Sequence, residues 1–287
     1  MIKELSNTYI PQNLYMSAPS TSLPNMLTNL RFKYSVKREL INAINHGNFN
    51  LVYQPQTALA SNKVIAVEAL LRWNCPEYGM VPPGEFIPIA EKSGLINELG
   101  NLVIDKVCEQ AAYWKKHYNS NLRIAVNVSY LQVHTNKIVR FIEQCLSQYH
   151  LDASVLEIEL TESSLIRDKD VVCNVMNELK EMGIRTAIDD FGTGYSSLSY
   201  LSCMPFDLIK IDRSFISALG RNSVITTVTE SIIRMGKRLG MEVLAEGVET
   251  RLQKDILIEN QCDLIQGNLI CKPVPADKIP EVVGLCE

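Results

Sequence analysis

From Leu122 to the carboxyl end of the chain, short β-branched and apolar runs alternate with helical patterns, and this alternation limits the fold more than any other feature. Runs at Leu122–Val128, Val155–Leu160, Ile184–Asp189, Leu208–Ile211, Val243–Glu246 and Leu264–Gln266 predict strands. Between them apolar residues recur at helical spacing, as in Val171, Val172, Val175, Met176 and Leu179. Strands separated by helices pair in parallel, because a crossover of a dozen or more residues returns the chain in the same direction. Two more runs lie upstream, Leu51–Gln54 and Lys63–Leu71, joined by only about eight residues, Pro55 to Asn62. That connection is too short for a parallel crossover, so these two are expected to form an antiparallel hairpin. Eight strands predict an α/β chain closed as a modified TIM-type (β/α)8 barrel whose first strand is antiparallel. An open doubly wound sheet is the alternative, although no GxGxxG follows a first strand and no GxxxxGK[ST] occurs.

The helical pattern ahead of the first strand begins near Ser35, with Val36, Leu40, Ile41 and Ile44 in register and Gly47 closing it. Residues 1–33, aperiodic and rich in Ser, Thr, Asn and Pro, read as a tail or linker, leaving 34–287 as one barrel domain. A hydrophobic content of 46% over 287 residues is enough for a sizeable core. The net charge of -4 offers no basic footprint for duplex nucleic acid or a membrane surface. No run of about 18 apolar residues predicts a membrane segment. Eight cysteines without CxxC pairing read as reduced core thiols, which favours the cytoplasm. Four dispersed histidines form no zinc motif.

In such a barrel the carboxyl ends of the strands share one mouth, where the chemistry sits. The stretch GIRTAIDDFGTGYSSL, Gly183–Leu198, ends a strand in two adjacent carboxylates, Asp189 and Asp190, and then enters a Gly-rich turn. Neighbouring strand residues point to opposite faces, so both acids serve one site only where the backbone turns, and the following glycines are expected to permit that. The other strand ends bring Glu68, Arg72, Asn127, Glu159, Lys210, Glu246 and Gln266 to the same mouth. Five converging carboxylates repel one another, and one Lys and one Arg do not balance them. Bound metal is the remaining source of positive charge, and an oxygen-only donor set suits Mg²⁺ or Mn²⁺. Two such ions about 3.5–4 Å apart, bridged by one carboxylate, suit hydrolysis of a phosphodiester. Lys210 either neutralises the acids or orients or deprotonates an attacking water. Arg72 either clamps phosphate through its fork or lays its stem beside Trp73.

The motifs resemble those of the EAL domain family, bacterial phosphodiesterases of the second messenger cyclic di-GMP. They run through YQP (Tyr53–Pro55), EALLRW (Glu68–Trp73), FIPIAEKSGLI (Phe86–Ile96), NVS (Asn127–Ser129) and LEIELTES (Leu156–Ser163). IDDFGTGYSSLSYL (Ile188–Leu201), DLIKIDRSFI (Asp207–Ile216), AEGVET (Ala245–Thr250) and QGNLICKPVP (Gln266–Pro275) continue the series in order. The resemblance implies that Glu68, Asn127, Glu159 and Asp189 bind one metal and that Asp189, Asp190 and Glu246 bind a second. It implies catalytic roles for Lys210 and Glu246, and substrate contacts for Arg72, Gln266 and Gln54, the last expected nearer the hairpin turn than Glu68. Asp212 and Glu249 would support the ligands. Glu162 would pin the loop Phe191–Ser197, which contributes to a homodimer. Asn268 departs from the family, where an aromatic residue commonly follows the QG pair. The implied activity is metal-dependent opening of cyclic di-GMP to linear pGpG; the alternative is a catalytically weak cyclic di-GMP receptor acting through a protein partner.

Overall fold

Antiparallel pairing opens the barrel in the computed structural model, which describes residues 23–135, 137–166, 168–194 and 204–285. Strands β1 (Asn50–Ala58) and β2 (Val64–Cys75) form the hairpin, with Tyr53 opposite Ala69 and Gln54 opposite Glu68. Strand β1 runs four residues past the expected Gln54 and β2 starts at Val64, leaving Leu59–Lys63 as the connection, and a register irregularity falls between Gln56 and Thr57. Gln54 is therefore level with Glu68 rather than nearer the turn.

Six strands then follow β2 in parallel order: β4 (Arg123–Asn127), β5 (Leu156–Thr161), β6 (Arg185–Phe191), β7 (Leu208–Ile211), β8 (Glu242–Ala245) and β9 (Leu264–Gln266). Strand β1 pairs antiparallel with β9 as well as with β2, and this closes the ring of eight. Two short strands lie outside the expected set. Strand β3 (Gly79–Val81) extends β2, and β10 (Val274–Pro275) flanks β1, both antiparallel.

Side chains alternate in and out along each strand, and the inward set is layered. At the floor, Glu157 Oε2 accepts from Arg123 at 3.2 Å and from Arg185 at 3.1 Å, and Arg185 also pairs with Glu242. Above it Ala187, Leu208, Leu244 and Leu264 form an apolar plug. Two residues further along those strands come Asp189, Lys210, Glu246 and Gln266, at the mouth. The outward set, including Ile158, Leu160, Ile188, Ile209 and Val243, packs with Val172, Val175, Met176 and Leu179 of the helix Lys169–Glu181 and Ile232 and Ile233 of the helix Ser223–Arg238.

The opening helix runs Leu23–His46, so it starts inside the stretch that sequence alone reads as a tail. Val36, Leu40 and Ala43 of this helix are buried against Phe49, Trp73, Phe86 and Leu99, and Tyr34 is exposed. Leu23, Met26, Leu27 and Leu30 repeat at i, i+3, i+4 and i+7, a helical spacing that the Ser, Thr, Asn and Pro content around it obscures. Among the described residues no helix is long and apolar enough to cross a membrane.

Candidate metal centre and active site

Asp189 and Asp190 reach one site because the backbone turns at Asp190 itself. Its φ is +55°, in the left-handed region that Asp tolerates better than most residues, and the β6–β7 register shifts between Ile188 and Phe191. The turn therefore falls two residues before the first glycine, Gly192. The Asp190 N–H donates to Asp189 Oδ1 at 3.0 Å, fixing the two acids relative to each other. Gly192, at φ +98°, lets the chain pass Phe215, whose ring would lie 2.7 Å from any Cβ placed there.

Buried Glu162 accepts from the N–H groups of Gly192 at 2.8 Å and Gly194 at 3.3 Å. A carboxylate holding two backbone donors fixes the first residues of the loop; the part from Tyr195 to Ser197, and with it the expected dimer contact, lies outside the described residues. Glu162→Ala is expected to lower stability by about 1–3 kcal/mol, read as a shift in denaturation midpoint, because two amides lose their acceptor.

Lys210 lies at the centre of the cluster. It is 0% exposed, with Nζ 2.7 Å from Glu159 Oε2, 2.8 Å from Glu246 Oε1, 3.1 Å from Asp189 Oδ1 and 3.6 Å from Glu68 Oε2. Burial alone would lower its pKa, but the Asp189, Glu159, Glu246 and Glu68 carboxylates outweigh burial and hold the ammonium well above its ordinary value. The acids pay for the crowding: burial raises Glu159 far above the usual carboxylate range, Lys210 offsetting only part of it, and the neighbouring Glu68 and Asp189 add to it. Asp190 is raised by burial and then by Asp189 and Asp212. Burial, with Asp189 and Glu68 adding to it against Lys210, pushes Glu246 up to about 8.

Glu68 is held at both oxygens, Oε1 accepting from Asn127 Nδ2 at 2.7 Å and Oε2 from Gln266 Nε2 at 2.6 Å. The carboxylates fall into two groups, Glu68–Glu159–Asp189 and Asp189–Asp190–Glu246, each with oxygens within 4.8 Å of one another, and Asp189 belongs to both. Five carboxylates against one ammonium leave a formal excess of four negative charges. Two divalent cations would cancel that excess, and Glu159 Oε1, buried and without a hydrogen-bond partner, is a free oxygen donor in the same place. The donor set therefore fits hard cations.

The remaining expected residues are placed as follows. Arg72 is half-buried at the mouth, its Nη1 donating to the Leu71 carbonyl at 2.9 Å. It lines a cavity of about 410 Å³ with Ile87, Glu91, Leu99, Asn127 and Gln132. Gln54 accepts from Gln266 at 3.2 Å and donates to the Cys271 carbonyl at 3.1 Å. Asp212 caps the short helix Arg213–Ser217 through Ser214 N–H at 2.9 Å. Glu249 is exposed, and its backbone N–H donates to Gln253 at 2.8 Å. Sequence reasoning missed Glu157, which is fully buried on the floor, and Gln56, which is buried on β1. Alternation was the available signal, since each lies two positions from a residue already assigned to the interior, Glu159 and Gln54.

Residues 37–273 match the family model of the EAL domain. The chain belongs to the EAL domain family. It is 38% identical over 255 residues to the bifunctional diguanylate cyclase/cyclic di-GMP phosphodiesterase MucR of Pseudomonas aeruginosa, covering 89% of this chain and 37% of that protein. It is 36% identical over 256 residues to the cyclic di-GMP phosphodiesterase NbdA of the same organism, covering 89% of this chain and 33% of that one. The chain thus spans about a third of the length of these relatives. Among solved structures, the PaMucR phosphodiesterase in complex with c-di-GMP superposes with a TM-score of 0.81 at 38% identity, over 85% of this chain and 99% of that one. An EAL domain is accordingly a modified (β/α)8 barrel here too, antiparallel first strand included.

Proposed function

We propose that this EAL domain hydrolyses one phosphodiester bond of cyclic di-GMP to give linear pGpG, using two divalent cations, Mg²⁺ or Mn²⁺. The observation that carries the reading is the pair of carboxylate groups sharing Asp189. Glu68, Glu159, Asp189 and the Asn127 Oδ1 would hold one ion, and Asp189, Asp190 and Glu246 the other. When bound, the ions supply positive charge to the phosphate and lower the pKa of water. The relatives named as cyclic di-GMP phosphodiesterases support the choice of substrate.

The chain's own side chains divide the remaining work. Arg72 matches two phosphate oxygens through its guanidinium fork, and the neighbouring cavity, apolar at Ile87 and Leu99, seats an aromatic base. Gln266 and Gln54 form the polar floor beneath. Lys210, held as an ammonium by its four carboxylates, donates a hydrogen bond to the attacking water and keeps it in line; a charged amine does not take its proton. Glu246, whose Oε1 lies 2.8 Å from Lys210 Nζ, is placed to accept that proton.

The raised acid pKa sets a sign for pH dependence. Between its ordinary value of 4.5 and about 8, Glu246 keeps in the folded chain a proton that the unfolded chain has released. The metal-free protein is therefore expected to lose stability as pH rises through that window, with the loss complete above it. Divalent binding expels the proton, so affinity is expected to rise over the same window. Denaturation in EDTA at pH 5.5 and 8.5, repeated with Mg²⁺, checks both; equal midpoints in EDTA would contradict the assignment.

A titration with cyclic di-GMP that follows binding and turnover together tests the function itself. Binding with conversion to pGpG is expected; binding without conversion identifies a receptor, and no binding removes cyclic di-GMP as ligand. Pairing of two copies through the loop after β6 belongs to the same reading, and a monomeric mass of 32.3 kDa by light scattering would contradict it.

A further inference from the structure

Two buried amides inside the barrel each keep one polar atom without a partner. Gln56 on β1 and Gln266 on β9 are direct neighbours across the antiparallel ladder. Alternation turns Gln56 to the same inner face as Gln54, and Gln54 bonds to Gln266. Gln56 is 1% exposed and Gln266 4%. Gln266 Nε2 is engaged by Glu68 and Gln54, but Gln266 Oε1 and Gln56 Nε2 have no hydrogen-bond partner among the described residues. One is an acceptor and the other a donor. A buried polar group left unpaired is costly, a penalty that native interiors meet by placing a water where the surroundings are polar. Residues directly opposite on one sheet face have Cβ atoms about 4.5–5.5 Å apart, close enough for one water to reach both amide ends.

We propose that a single buried water joins Gln56 Nε2 to Gln266 Oε1 beneath the carboxylate cluster, and that Gln56 is thereby a positioning residue for Glu68. This deepens the metal-site reading given above and rests on it. The chain of donors runs from the Gln56 amide to the water, from the water to the Gln266 carbonyl, and from Gln266 Nε2 to Glu68 Oε2. An amide whose carbonyl accepts a hydrogen bond is a stronger N–H donor, because linked hydrogen bonds polarise one another. The consequence is a Glu68 carboxylate held at Oε2 from below while Asn127 holds Oε1 from the side. Gln56 reaches neither substrate nor ions, and acts only through Gln266.

Three measurements on the full chain decide it. A high-resolution crystal structure is expected to show a water within hydrogen-bonding distance of Gln56 Nε2 and Gln266 Oε1; density showing none, or a direct Gln56–Gln266 bond, overturns the proposal. Calorimetric titration with Mn²⁺, without substrate, is expected to show affinity roughly 10–100-fold weaker in Gln56→Leu, the range for groups that orient metal ligands. Gln56→Asn, which keeps the donor, is expected to recover most of that loss. Equal affinity in wild type and a folded Gln56→Leu overturns the positioning role, as does an Asn variant no better than the Leu one. Wild-type protein that binds no Mn²⁺ at all sinks the metal-site reading and the positioning role together, while the water is still settled by the density.

Discussion

Glu68→Ala is expected to remove metal-dependent turnover of cyclic di-GMP, with a loss in kcat/KM of at least about 10³-fold. A Lewis-acid metal supplies several kcal/mol of transition-state stabilisation, and each 1.36 kcal/mol is tenfold in rate. Glu68 belongs to one of the two carboxylate groups and is the residue on which Asn127 and Gln266 converge, at 2.7 and 2.6 Å. Its removal takes away a ligand and frees Asn127 and Gln266 from the partner that orients them. The fold should survive, because the main core lies on the outward faces of the strands. Steady-state kinetics beside a melting curve separates the two: an active Glu68→Ala protein would remove Glu68 from the metal site.

Lys210→Met carries the second large effect, on stability. The side chain is fully buried and its ammonium lies within 3.6 Å of four carboxylates. Removing one partner from a buried ion cluster typically costs about 3–5 kcal/mol, because the charges left behind lose their compensation. The metal-free variant is expected to melt on the order of 10 °C lower. Saturating Mg²⁺ should recover more stability in the variant than in wild type, since bound cations take over part of the role of the ammonium. Turnover is expected to fall as well, through loss of the donor that aligns the water. Unchanged melting in EDTA would mean that the acids stand largely protonated without Lys210's help.

The barrel was legible because its signals are periodic: alternation of strand and helix gives the parallel strands, and the short link between Leu51–Gln54 and Lys63–Leu71 gives the antiparallel first one. What escaped depends on register. Gln54 is level with Glu68 because β1 continues to Ala58, a length that composition does not announce. The turn that brings Asp190 beside Asp189 falls on Asp190, since an Asp tolerates φ +55° and the glycines that draw attention come afterwards. The acids and Lys210 were readable as strand-end residues, because each ends an apolar run. The start of the opening helix was passed over because the Ser, Thr, Asn and Pro content of residues 1–33 was given more weight than the repeat of Leu23, Met26, Leu27 and Leu30 at i, i+3, i+4 and i+7.

The most direct measurement is the fate of cyclic di-GMP incubated with the purified chain in Mg²⁺ or Mn²⁺ and, in parallel, in EDTA. The acid-crowded mouth predicts conversion to linear pGpG with the ions and none without them. Equal conversion in EDTA, or intact cyclic di-GMP in the presence of saturating ions, would contradict it.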